Sequence, residues 1–207
     1  MSRFPRWWFW AVVLVPALVT AVGLTVQAGG IERRVEAGAR AALPGADLVV
    51  DGRDVTISGI PVEQMAATES SAEAVAGVRQ VSIVDPVLAP LRLVFRAEEV
   101  VVTGATEQQA WRAQFVARLA ANTHGRRLVD ETTSERGTDF PITTEAAGSV
   151  VALITQQPEE MTVLVDAGQV TISGVVPDSN RRKAIVAVLK RLFGDTTVID
   201  RTTEWAR

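Results

Sequence analysis

Asp54-Val55-Thr56-Ile57-Ser58-Gly59, Glu99-Val100-Val101-Val102-Thr103-Gly104 and Gln169-Val170-Thr171-Ile172-Ser173-Gly174 are three versions of one phrase. Each is a β-branched run that ends on a glycine, follows another extended stretch and precedes a segment of helical composition. Recurrence of one supersecondary unit decides the fold of the whole chain. The glycines stand 45 and 70 residues apart, and the extra 25 residues of the second interval match a helix over 144–157 with its loop. The expected history is therefore duplication with one leading helix lost from the middle copy.

Working outward from the first copy, Ile31 to Leu43 reads as a helix stopped by Pro44-Gly45, and Leu48–Val50 and Val55–Ser58 read as strands joined by Asp51-Gly52-Arg53-Asp54, a hairpin signal. Residues 62–76 suit a helix with a thin apolar stripe, and Val78, Val81 and Ile83 close the unit as a strand. After the proline-bounded linker 85–90, the second copy runs Leu91–Arg96, Glu99–Thr103, a helix and a strand over Leu128–Thr133. Its helix carries Trp111, Phe115 and Leu119 at helical spacing behind Thr106-Glu107-Gln108-Gln109, read as a capping box. Ser134 to Pro141 reads as a polar loop. The third copy has a helix over 144–157, a hairpin over Met161–Asp166 and Gln169–Ser173, a helix from Asp178 or Ser179 to Phe193, and a last strand over Thr196–Asp200.

Ahead of these copies, residues 7–28 contain no charge, enough apolar chain to cross a hydrocarbon core of roughly 30 Å as a helix. Arg3 and Arg6 precede this stretch, and Trp7, Trp8 and Trp10 suit the headgroup level. We expect an uncleaved anchor; the alternative is a signal peptide cut after Val26-Gln27-Ala28. The short amino end then stays in the cytoplasm and residues 29–207 lie outside, a single-pass topology in the cell membrane. The expected organisation is a tail and transmembrane anchor over 1–28, followed by units over 29–85, 86–137 (without a leading helix) and 138–207. The fold class is α+β, a transmembrane helix followed by tandem αββαβ units with helices packed on mixed sheets.

The 207 residues are 47% apolar, carry 21 basic and 24 acidic side chains, and have no cysteine. Setting aside Arg3 and Arg6 leaves 19 basic against 24 acidic residues, a formal charge of about −5 outside the anchor, which gives nucleic-acid binding no electrostatic support. Without cysteine there is no disulfide framework, thiolate metal site or thiol nucleophile. His124 is the single histidine and sits beside Asn122 and Gly125 in a helix-ending turn, too little for a metal site that wants about three ligands. Glu98-Glu99 and Glu159-Glu160 are adjacent pairs, and neighbours on a strand point to opposite faces. Ser58 and Ser173 lack the Gly-x-Ser-x-Gly context of a nucleophile elbow. Gly59, Gly104 and Gly174 read as backbone positions where a strand turns toward its helix. No cofactor motif appears, and the chain is expected not to be an enzyme.

The order helix, strand, strand-Gly, helix, strand resembles the BON domain of bacterial envelope proteins. Ile31-Glu32-Arg33-Arg34-Val35, Val55-Thr56-Ile57-Ser58-Gly59 and Gly77-Val78-Arg79-Gln80-Val81 stand where that pattern puts them; the third copy matches through Val170–Gly174 but has Gly194-Asp195-Thr196-Thr197-Val198 in place of the Gly-Val form. A tryptophan-headed apolar stretch before tandem copies is also similar to the amino-terminal region of actinobacterial OmpA-like channel proteins of the ArfA type, with Asp139-Phe140-Pro141-Ile142 between the paired units. These resemblances imply a cell-envelope protein that binds membrane phospholipid or envelope partners, or a channel-forming, porin-like assembly. The ArfA type carries a peptidoglycan-binding domain that is not expected here, so wall attachment of that kind is not carried over.

The residues add one candidate surface. Arg181, Arg182, Lys183, Lys190 and Arg191 lie on the last helix opposite Ile185, Val188, Leu189 and Leu192, a basic amphipathic pattern that suits anionic headgroups or a solvated face over a sheet. The leading expectation is a non-enzymatic module contacting membrane lipid or envelope partners, with self-association open. The first rival is a channel, which strands of about five residues could not form as a monomeric barrel because a spanning strand needs roughly nine to eleven. The second is a scaffold or adaptor of a division or secretion complex.

Overall fold

The computed structural model describes residue 14, residues 29–156 and residues 160–205. The chain forms two compact units: unit 1 takes Met1–Ser58 and Met65–Val84, and unit 2 takes Gly59–Gln64 and Asp85–Arg207.

In unit 1, residues 29–42 are helical (α1). Strands β1 (Asp47–Asp51), β2 (Asp54–Ser58) and β3 (Gln80–Ile83) form a sheet in that order, β1 antiparallel and β3 parallel to β2. Helix α2 (Met65–Glu73) follows a 3-10 turn at Val62–Gln64 and buries only Ala72. Val35 and Ala39 of α1 and Val55 and Ile57 of β2 are the buried apolar residues that these two elements give the unit. α1 packs closely on the turn that follows α2, since a Cβ at Gly38 would stand 2.9 Å from Val75 Cγ1. Arg79 grips the Asp54 carboxylate across the hairpin end, and this hydrogen bond holds Asp54 below its ordinary value despite some desolvation.

Unit 2 carries the other two copies. Strands β5 (Leu91–Phe95), β6 (Glu99–Thr103) and β8 (Arg127–Asp130) come from one, and β11 (Met161–Asp166), β12 (Gln169–Val176) and β13 (Val198–Glu204) from the other. They form one six-stranded sheet, β13-β12-β11-β5-β6-β8. Read from either edge, the order is third, second, first strand of a copy. The copies join where β5 and β11 pair antiparallel, with Leu93 opposite Val163, equivalent positions 70 residues apart. Small pairings complete the unit: β4 (Val87–Leu88) with β10 (Thr138–Asp139), and β7 (Ala105–Thr106) with β9 (Thr133–Ser134).

Helices α3 (Gln109–Ala120), α4 (Thr144–Ile154) and α5 (Ser179–Phe193) contribute Trp111, Phe115, Leu119, Ala147, Val150, Val151, Ile154, Ile185 and Leu189 to one core with Leu91, Leu93, Phe95, Val163 and Ile172 of the sheet. Six strands at about 4.8 Å span roughly the width that three helices at 8–10 Å cover. Three helices therefore suffice to cover this face of the sheet, and the middle copy has no leading helix of its own.

Two expectations change. Among the described residues no helix is long and apolar enough to cross a membrane, α5 having 15 residues; the stretch 7–28, on which the transmembrane reading rests, lies outside the described residues apart from residue 14. The fold class is corrected to α+β with mixed sheets, with no membrane-spanning helix among the described residues. The units expected over 86–137 and 138–207 share one sheet, because their leading strands β5 and β11 pair with each other.

The polar segment 134–141 differs as well: it contains β10, and Asp139 and Phe140 are buried. The capping box at Thr106 does not form, since the N-cap of α3 is Gln108 without a side-chain bond, and Thr106 sits buried in β7. Cutting Leu93, fully buried at the join, to alanine is expected to cost about 2–5 kcal/mol. Urea unfolding followed by amide exchange should show strands β5–β8 and β11–β13 losing protection in one transition; two separate transitions would mean the copies fold independently.

Candidate functional site

The basic face of α5 is positioned by its start and its core contacts. Asp178 caps the helix by accepting from the Arg181 amide at 2.9 Å, and Ile185 and Leu189 lock the inner side against the sheet. On the outer side lies an open groove of about 460 Å³ between α5 and β13, lined by Ser179, Arg182, Lys183, Lys190, Asp200 and Glu204 among others. Arg182 Nε donates to Asp200 Oδ2 at 2.7 Å, while Asp200 Oδ1 accepts from the Thr202 amide at 2.9 Å and its hydroxyl at 2.7 Å. Burial pushes the Asp200 carboxyl up, but the Thr202 hydrogen bonds and then Arg182 outweigh it and hold the group below its ordinary value.

Of the five expected cations, the groove thus brings together Arg182, Lys183 and Lys190 and leaves Arg181 and Arg191 outside its lining. Leu192, placed by sequence on the apolar stripe, is exposed, and Val188 is half-buried. Among the described residues neither Lys183 nor Lys190 makes an ion pair.

The remaining candidates scatter. Gly59, Gly77 and Gly174 have positive φ, and at Gly174 a Cβ would come within 2.5 Å of the Glu160 carbonyl, so the backbone itself excludes a side chain. Gly104 lacks positive φ but faces Leu91 and Phe140 so closely that a Cβ would meet them at 3.0 and 3.2 Å. His124, with φ of 50°, places Nδ1 2.9 Å from the Asn122 carbonyl and 3.2 Å from Thr155 Oγ1. No cluster of potential metal ligands occurs among the described residues. Glu99 is clamped by Arg127 and Arg96 at 2.7 and 2.6 Å, whose hydrogen bonds lower it below its ordinary value, while Glu98 points to solvent; Glu160 is exposed and Glu159 lies outside the described residues.

The sequence reading missed a buried carboxylate of unit 2. Asp139, 3% exposed, accepts from Thr106 Oγ1 at 3.0 Å and Trp111 Nε1 at 3.1 Å through Oδ1, and from the Val62 amide at 2.7 Å through Oδ2. Above it opens a largely apolar cleft of about 230 Å³ lined by Val62, Leu88, Trp111, Phe140 and Ile142, with Phe140 stacked on Phe115 at 4.3 Å between ring centroids. It also missed a second repeat. Leu128-Val129-Asp130-Glu131-Thr132-Thr133 and Val198-Ile199-Asp200-Arg201-Thr202-Thr203 are 70 residues apart, and Asp130 Oδ1 accepts from the Thr132 amide and hydroxyl as Asp200 does from Thr202. That Asp-x-Thr pair was the available signal for the edge strands.

With this geometry in view, comparison with known proteins gives little. No protein-family model matches the chain, and no curated protein matches it. Among solved structures, one described as CdsD, a structural protein of the type III secretion system of Chlamydia trachomatis, is 11% identical with a TM-score of 0.27, covering 84% of this chain and 91% of that one. A structure of the CdsD C-terminal domain is 8% identical with a TM-score of 0.24, covering 84% and 96%. Likeness at this level identifies no family.

Two outcomes test the polar anchors. Asp139→Ala strands buried donors on Thr106 and Trp111 and is expected to cost about 2–5 kcal/mol, whereas Asp139→Asn keeps one acceptor oxygen and should cost about 1–3 kcal/mol, read from urea midpoints. Because the folded Asp200 carboxyl is depressed, its contribution is complete above the ordinary value of 3.8 and disappears as pH falls through the folded value. Asp200→Asn should therefore flatten the acid limb of the stability curve and leave its neutral-pH slope unchanged.

Proposed function

We propose that this chain is a non-enzymatic binding module of the cell envelope, working on the extracytoplasmic side of the membrane, whose α5 face meets anionic phospholipid headgroups. The BON-like reading of its copies belongs to the same proposal. The observation that carries it is the division of α5. Ile185 and Leu189 are committed to the protein core, so the helix cannot insert its apolar stripe into lipid, and its outer side offers Lys183 and Lys190 without ion-pair partners beside an open groove. Such a face acts on headgroups by electrostatic attraction, with about 1 kcal/mol for each basic side chain near an anionic surface.

The chemistry available elsewhere supports a binding role. His124 is engaged in a helix-ending turn, and the perturbed carboxyls Asp54, Glu99 and Asp200 are all lowered and held by arginines, the behaviour of structural ion pairs.

Vesicle co-sedimentation of the full chain tests this reading. The protein should bind vesicles containing anionic phospholipid more tightly than purely zwitterionic ones, with the difference shrinking as salt rises. Replacing Lys183 and Lys190 with alanine should remove about 2 kcal/mol of that difference, roughly 30-fold in apparent affinity. Equal binding of both proteins to anionic vesicles would defeat the proposal.

A further inference from the structure

The first copy departs from the other two just beyond its glycine. In the second copy the ladder continues past Gly104: Glu131 donates to the Val102 carbonyl, and Thr133 donates to the Gly104 carbonyl at 2.9 Å. The first copy begins likewise, with Val84 donating to the Ile57 carbonyl at 2.9 Å. The next donor would be residue 86, and Pro86 has no N–H. The Gly59 carbonyl is instead taken by Gln108 Nε2 of unit 2. Pro61 likewise stands where Thr106 and Val176 extend their strands. The chain leaves unit 1 at Ser58, gives Gly59–Gln64 to unit 2 and returns at Met65.

On unit 2 this segment has a root and a tip. Ile60 and Pro61 are buried, whereas Val62, Glu63 and Gln64 are exposed and held by polar bonds. The Val62 amide reaches Asp139, and Glu63 Oε2 accepts from the Thr144 amide at 2.9 Å and its hydroxyl at 3.1 Å, at the first turn of α4. The tip forms one wall of the apolar cleft over Trp111, Phe140 and Ile142, so the volume behind it is unfilled by the segment's own side chains. Beyond the tip comes α2, whose one buried residue is Ala72, so its first turn resists displacement weakly.

We propose that Val62–Gln64 is a releasable strap, rooted at Ile60 and Pro61 and latched on Asp139 and Thr144, that controls access to the Trp111 cleft. Releasing it exchanges a few half-exposed hydrogen bonds for water and uncovers Trp111, Phe140 and Ile142 while the Ile60 root stays in place.

The native chain has no cysteine, so single thiols report opening directly. A full-length Ile142→Cys protein should label slowly with a maleimide. Adding Val62→Pro and Glu63→Ala, which remove the two latch bonds, should speed labelling about tenfold or more. A Val163→Cys thiol at the sheet centre should not respond to the same two changes. No acceleration at residue 142, or equal acceleration at 163, would overturn the strap, the second because it reports general unfolding. In the unaltered chain, the Val62 and Thr144 amides should exchange by local opening, at rates insensitive to low urea; exchange of both only with the sheet amides would also overturn it.

Discussion

A β-strand edge is a row of donors and acceptors, and a copied unit copies its edge. The antiparallel pairing of β5 with β11 follows from that constraint, and the architecture of unit 2 depends on it. Equivalent strands of two copies can satisfy each other only if they run antiparallel and place equivalent residues opposite, as Leu93 and Val163 do. Once joined, the sheet presents one continuous face for helices, the number of helices is limited by its width, and α4 covers the centre for both copies. The outermost strands then become β8 and β13. Both are marked by the same Asp-x-Thr hydrogen-bond pattern, and both carry charge that discourages further pairing: Arg127 with Glu99 on one edge, and Arg182 with Asp200 beside the other.

A second constraint acts on the carboxylate of Asp139. A polar group this buried is tolerated only if its hydrogen bonds are satisfied, and the three donors come from three places: the start of a helix, a two-residue strand and the segment 59–64. The aromatic stack of Phe140 on Phe115 rests beside it, so the linker between copies becomes part of the core. The prolines reinforce this. Pro86 deprives the Gly59 carbonyl of its ladder partner, and the same carbonyl then serves unit 2 through Gln108.

What could be read from the chain was whatever depends on near neighbours. The thrice-used strand and glycine declared themselves because β-branched runs and a backbone position at φ near 137° leave a local signature, Gly174 being the clearest case. The helical spacing of Trp111, Phe115 and Leu119 did so for the same reason. Partner choice was not local: nothing in Leu91–Phe95 says that its free edge meets Met161–Asp166. Asp139 was hidden more deeply. Between Gly137 and Pro141 it has the composition of a loop, and its burial is decided by Thr106, Trp111 and Val62, which lie 33, 28 and 77 residues away. Thr106 was misread for a related reason. A threonine three residues before Gln109 fits a capping box, but a buried carboxylate is a stronger demand on its hydroxyl than the first turn of a helix that water can reach.

The reading of α5 also turns on a competition. From the sequence alone, Ile185, Val188, Leu189 and Leu192 opposite five cations suit either a lipid-inserting helix or a helix laid on a sheet. An apolar stripe can be buried only once, and here Ile185 and Leu189 are spent on the core while Leu192 remains at the surface. The cations are then sorted by what the sheet supplies. Asp200, fixed by Thr202, takes Arg182 into an ion pair, whereas Lys183 and Lys190 look outward over the groove. A long, flexible ammonium without a fixed partner suits a diffuse anionic surface, while the planar guanidinium suits the ordered carboxylate it bonds through Nε. The division of labour between Arg182 and the two lysines therefore separates the part of this face that belongs to the fold from the part on which the proposed headgroup contact rests.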